Sequence, residues 1–172
     1  MTDNPLLDFS GLPRFDAIRP EHVAPAIAQL LDEASAAVRA AETVAPVDWD
    51  RFVLPLDEAT SRLGRAWAQV AHLEAVASTP ALRAAYNETL PAVTRFWSAL
   101  GQNEVLFAQY QRLADAPAFA GYGDARRKVV ENALRDFRLG GAELPEADKA
   151  RHAAIREELS ALSAKYSQNV LD

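Results

Sequence analysis

The sequence predicts an all-α protein: a bundle of about five long, partly kinked helices with coiled-coil-like packing, preceded by an extended amino-terminal arm over residues 1–19. Two observations carry that prediction. Apolar residues recur three and four positions apart through most of the chain, the repeat of a helix with one buried face. No run of four to eight residues alternates apolar and polar as a half-buried strand does.

The arm holds Pro5, Pro13 and scattered apolar anchors such as Leu6, Phe9 and Ile18, which suits a segment laid over a surface. Arg19 precedes a proline and should be extended, and Pro20 opens the first helix at no hydrogen-bonding cost. Its stripe runs through Val23, Ile27, Leu30, Leu31, Ala34, Val38 and Ala41 and fades near Val44-Ala45-Pro46. Asp48 is the expected N-cap of the second helix. There, Phe52, Leu56, Ala59, Leu63, Ala66, Val70, Leu73 and Ala77 alternate steps of four and three as in a heptad seam. Pro55 is expected to bend the first turn of that helix. Ser78 or Thr79 caps the third, with Pro80 at its start and Pro91 in its middle as a kink. Gly101 to Asn103 separates a shorter piece carrying Val105, Leu106, Tyr110 and Leu113. After a loop or a short turn of helix over 115–123, Asp124 is expected to cap a helix that Gly140-Gly141 ends in left-handed fashion. Pro145 then starts a final helix striped by Ile155, Leu159, Leu162, Tyr166 and Val170. Nothing closes it: no Gly or Asn at a C′ position, no terminal basic cluster, no following Pro. The expectation is that the chain is a fragment of a longer polypeptide.

With 172 residues, 49% hydrophobic and 24% charged, the chain has the composition of an ordinary globular domain. No apolar run approaches the roughly 18 residues of a membrane span, and the first residues lack the pattern of a secretion signal. The absence of cysteine excludes disulfides and thiolate ligands, and a cytoplasmic location is expected. A net charge of −6 argues against nucleic acid as a partner. The densest basic run, Arg126-Arg127-Lys128, reads as a solvated helix face flanked by Asp124 and Glu131.

Candidate chemistry is sparse. His72 and Glu74 sit two apart, so a helix points them to different faces. His22, His72 and His152 show no H-E-x-x-H spacing and read as structural or surface residues. Adjacent carboxylates Asp57-Glu58 and Glu157-Glu158 diverge on a helix. Trp67, Tyr86, Phe96 and Trp97 read as core. Neither a nucleophile elbow nor a phosphate loop is present. No catalytic, cofactor-binding or metal residue is assigned.

Positions 4–31, "NPLLDFSGLPRFDAIRPEHVAPAIAQLL", resemble the amino-terminal signature of the oligopeptidase A and thimet oligopeptidase family. In that family an N-P-L-L arm leads through L-P-x-F to I-x-P-E-H-V-x-P-A, matched here from Asn4 to Ala26. "HLEAVASTPALRAAYNETLP" and the stretch from Asn132 to "SQNVLD" (167–172) continue the likeness, in order, over nearly the whole chain. The resemblance implies a zinc metallo-oligopeptidase with two helical lobes around a channel that admits short peptides. Its zinc is held by an H-E-x-x-H helix and a downstream Glu far toward the carboxyl end, which this chain lacks. Residues 20–172 would then be a non-catalytic helical lobe that forms part of the channel wall. No cofactor is expected in this chain, and zinc is expected in the full-length parent. The partners implied are the carboxyl-terminal catalytic region of the same polypeptide and short peptide substrates, with no nucleic acid and no membrane. One helical face should be apolar yet exposed; the heptad seams and the additional residues Trp67, Leu106 and Phe107 motivate this. The alternative is a stand-alone interaction or regulatory module without catalytic activity.

Overall fold

The computed structural model describes residues 4–171, so Met1 to Asp3 of the arm and Asp172 lie outside the described residues. Among the described residues there are six α-helices and no strand. They are α1 (Pro20–Thr43), α2 (Leu54–Ala77), α3 (Pro80–Gly101), α4 (Glu104–Asp115), α5 (Asp124–Gly140) and α6 (Glu146–Leu171).

Local chemistry explains most boundaries. In the arm, Asn4 accepts a hydrogen bond from the Leu6 amide at 3.1 Å and donates its own amide to the His22 carbonyl at 2.9 Å. Between them these bonds hold a single turn, Pro5–Leu7, that drives Leu6 completely into the core. At Thr79 the hydroxyl accepts from the Leu82 amide (3.2 Å), and at Asn103 the side-chain carbonyl accepts from the Leu106 amide (3.0 Å); each is an N-cap. The carbonyls left over at the end of α1 find a partner from α4. The Gln109 amide donates toward Ala41 at 3.3 Å and toward Glu42 and Val44 at 3.2 Å, satisfying groups that have none within the helix.

Two boundaries differ from expectation. Asp48 does cap a helical turn, accepting from the Arg51 amide at 2.9 Å, but that turn is a wide π-helical one, Trp49–Val53, ahead of α2. Pro55 is the reason: it has no N–H to return to the preceding turn and its ring crowds the backbone, so a widened turn absorbs the misfit. Asp124 is not the cap of α5. Gly123 holds that position and Asp124 is the first helical residue, its carboxylate paired with Arg127. A negative charge is still favoured there by the exposed amides of the first turn.

The buried side chains form two clusters strung along α1 and α2. One joins Leu6 and Ile18 of the arm to Val23, Ile27 and Leu30 of α1 and to Leu63 and Val70 of α2. The other joins the end of α1 and the Pro55 turn to α4 and α5, with Phe52, Leu106, Phe107, Tyr110 and Phe137 at its centre. Trp67, Tyr86 and Phe96 pack against the first cluster, and Trp67 stacks on Tyr86 with ring centroids 4.9 Å apart.

The ends of α3 and α5 touch backbone to backbone. A Cβ on Gly140 would lie 2.6 Å from the Gly101 carbonyl oxygen and 2.9 Å from its Cα, closer than such atoms approach. A Cβ on Gly101 would meet only the Gly140 Cα, at 3.4 Å. Immediately after this crossing the chain reverses. Gly141 adopts φ 97°, its N–H reaches the Arg138 carbonyl at 3.2 Å, and the Ala142 N–H reaches the Phe137 carbonyl at 2.9 Å. This doubly bonded left-handed cap needs a residue without a side chain at Gly141.

Two outcomes follow. Gly140→Ala should lower unfolding stability in urea by about 1–3 kcal/mol through overpacking, and Gly101→Ala by clearly less. Equal losses would place the tight contact elsewhere. Tyr110 is 6% exposed, and burial, with a smaller contribution from the Asp57 charge, pushes its hydroxyl up to about 12. The folded pKa lies above the unfolded value near 10, so the contribution is fully present below pH 10 and is lost as pH rises toward 12. Stability should therefore fall by about 2–3 kcal/mol across that window, and Tyr110→Phe should flatten the decline. A slope unchanged by Tyr110→Phe in alkaline urea titrations would refute the assignment.

Candidate interaction surface on α6

The final helix is built inside out. It lies antiparallel to α3, and the face it turns inward is small and polar. Ser160 and Thr94 share a hydroxyl–hydroxyl bond of 2.9 Å, and Gln168 donates to the Asn87 side chain at 2.8 Å. Arg95 pairs with Glu157 at 3.2 Å. At the other end the Gln102 amide reaches the Lys149 carbonyl (3.1 Å) and sits 3.2 Å from the His152 ring. Lys149 is the most buried residue of α6, its stem covered and its ammonium on the exposed Glu104 carboxylate.

The apolar stripe of α6 points the other way. Ile155, Leu159, Leu162, Tyr166 and Val170 are between 53% and 72% exposed. In an ordinary bundle helix the faces are reversed, the apolar one covering the core. Bordering this stripe is a groove of about 570 Å³ between α2, α3, α5 and α6. Leu56, Asp57, Trp97, Asp136, His152 and Arg156 are among its walls. Trp97, 37% exposed, lies over Gly64 of α2, where an added Cβ would come within 3.9 Å of the ring. Leu139 projects from the rim at 73% exposure.

Nothing at this surface has the arrangement of a catalytic centre. Among the described residues no three His, Cys, Asp or Glu side chains converge as metal ligands. The chain's three histidines lie on α1, α2 and α6 and have separate surroundings. His22 accepts the Arg19 amide at 3.0 Å, His72 leans on Phe15 with ring centroids 5.2 Å apart, and His152 borders the groove. Glu74, two residues from His72, is buried, whereas His72 is exposed, so the two do not act as a pair. Asp57 faces the groove while Glu58 faces solvent, and Glu157 is taken by Arg95 while Glu158 is exposed. These residues do not fit a zinc ion. Arg126 of the basic run stacks over Trp49 at 4.9 Å, and Lys128 pairs loosely with Glu131 at 3.5 Å.

The exposed apolar face is not where Trp67, Leu106 and Phe107 suggested. Leu106 and Phe107 are buried in the second cluster, because the Asn103 cap turns α4 against α5. Trp67 is covered by Tyr86. The signal for α6 was present in a second periodicity: Ala153, Glu157, Ser160, Ala164 and Gln168 repeat small or polar groups on the face that meets α3.

A sequence model of the family described as "Neurolysin/Thimet oligopeptidase, N-terminal domain" matches residues 27–149. Oligopeptidase A of Salmonella typhimurium is 42% identical over 170 residues, and that of Haemophilus influenzae 39% over 169, each alignment covering 98% of this chain. The probable cytosolic oligopeptidase A of Arabidopsis thaliana is 33% identical over the whole chain. The chain spans about a quarter of the length of these relatives, 25%, 25% and 24% respectively. With its six helices and the matched 27–149 segment, the chain belongs to the neurolysin/thimet oligopeptidase family and carries that family's amino-terminal domain.

Proposed function

We propose that the chain serves as the non-catalytic amino-terminal helical lobe of a zinc metallo-oligopeptidase that hydrolyses short peptides in the cytoplasm. The observation that carries this reading is the pairing of a family amino-terminal domain with relatives four times as long. The lobe contributes part of the wall that narrows the substrate channel, so that extended peptides enter and folded proteins do not. Its partner is the carboxyl-terminal catalytic region of the same polypeptide, which binds the zinc; in such enzymes the metal supplies an activated water. This chain's part is to exclude and to orient, through rigid helices sealed by two buried clusters.

Several features support that division of labour. The described residues hold no metal-binding group, and the histidines are engaged singly. No helix among the described residues is long and apolar enough to cross a membrane. The net charge of −6 disfavours a nucleic-acid partner.

Reading the gene beyond the Asp172 codon tests the proposal directly. An open frame that continues to an H-E-x-x-H helix is expected, and a stop codon at that point would favour a stand-alone interaction module. The 172-residue chain itself should retain less than stoichiometric zinc after dialysis and should leave oligopeptides intact. One tightly held zinc per chain would overturn the assignment.

A further inference from the structure

Among the described residues nothing covers the outward stripe of α6. At 3.6 residues per turn, Ile155, Leu159, Leu162, Tyr166 and Val170 fall within an arc of about 80°. Ala153, Glu157, Ser160, Ala164 and Gln168, which meet α3, fall in an arc roughly opposite. His152 falls at the edge of the stripe's arc and Arg156 between the two arcs, and both line the groove, so groove and stripe form one surface. Trp97 and Leu139 extend it beyond the amino-terminal part of the helix.

We propose that this surface seats an amphipathic helix from the carboxyl-terminal remainder of the same polypeptide, its apolar face along the α6 stripe and one large side chain in the Trp97 groove. The inference rests on the lobe reading above, and specifies where the rest of the chain docks. Three observations favour this occupant. First, relatives carry about three quarters of their length outside the aligned part, so the family supplies a large covalently linked neighbour. Second, the five side chains expose on the order of 500 Å² of apolar surface, a patch of the size that marks an interaction site. That falls short of the roughly 800 Å² per partner of a typical stable dimer, which disfavours a second copy. A tethered neighbour needs less, because linkage holds it at an effective concentration on the order of millimolar. Third, Glu157, Ser160 and Gln168 of α6 are engaged by α3, while the stripe itself presents four aliphatic side chains and one tyrosine, so the missing contact along it is apolar and helix-shaped rather than an ion or a nucleotide.

The test uses the lack of cysteine in this chain. Leu162→Cys places a thiol in the stripe, and Ala161→Cys places one at an exposed position about 100° away around the helix. Both are installed in the full-length product of the gene and in the 172-residue chain, with circular dichroism to check the fold. N-ethylmaleimide modification is then followed by mass spectrometry of the peptide that contains the site. In the 172-residue chain both thiols should react at similar rates. In the full-length product Leu162→Cys should react at least tenfold more slowly than Ala161→Cys. Equal rates in a longer product would overturn the docking site while leaving the lobe reading intact. A gene product that ends at Asp172 would overturn the lobe reading and the docking site together. Protection of Leu162→Cys in the 172-residue chain that grows with protein concentration would assign the stripe to a second copy and overturn the proposal.

Discussion

The close crossing of α3 and α5 at Gly101 and Gly140 sets the geometry that the rest of the carboxyl-terminal half depends on. Because the two backbones touch, the end of α5 is pinned to the end of α3. The left-handed cap at Gly141 then leaves the chain only a short path, through Leu144 and Pro145, before α6 begins. From that starting point α6 runs back along α3, and its register is read out by polar pairs from Gln102 and His152 at one end to Asn87 and Gln168 at the other. Three glycines, two at the crossing and one at the cap, thus decide where a helix of 26 residues lies.

Contacts of this kind are directional but weak. A hydrogen bond within a protein contributes about 0.5–1.5 kcal/mol net, and an exposed ion pair such as Arg95–Glu157 less than about 1 kcal/mol. Against α1, by contrast, Val23, Ile27 and Leu30 are fully buried and bring the larger free energy of apolar burial. The bundle therefore grades from a firmly packed interior around α1 and α2 to a last helix oriented by polar groups. An apolar stripe left uncovered on that last helix is consistent with a domain whose edge is finished by another part of its polypeptide.

Much of this architecture was legible in the sequence because its punctuation is strong. Pro20, Thr79, Pro80 and Gly141 each have one physical role at a helix end, and each plays it. The heptad residues Phe52, Leu56, Leu63, Ala66 and Val70 are the buried seam of the second helical segment. What could not be read lies where two local solutions compete. Asp48 specifies a cap, but Pro55 forbids regular bonding behind it, and the π turn reconciles them. Gly123 and Asp124 can each precede a helix, and the Arg127 guanidinium draws Asp124 into the first turn. Periodicity shows that α6 has two unlike faces but not which face meets α3, since that choice depends on Thr94, Asn87 and Gln102 of a distant segment. The interaction surface was hidden for the same reason.

The two buried clusters have a consequence for how the molecule opens. Both hang on α1 and α2, one toward the arm and the other toward α4 and α5, with half-buried residues such as Ala37, Ala59 and Thr60 between them. Loosening the Phe52–Tyr110–Phe137 end leaves the contacts among Leu6, Ile27 and Leu63 intact, and the converse holds. Two clusters that share no buried side chain are the arrangement in which amide protection divides into separate cooperative levels. The arm-side interior can then hold the fold in place independently of the end that bears the α3–α5 crossing.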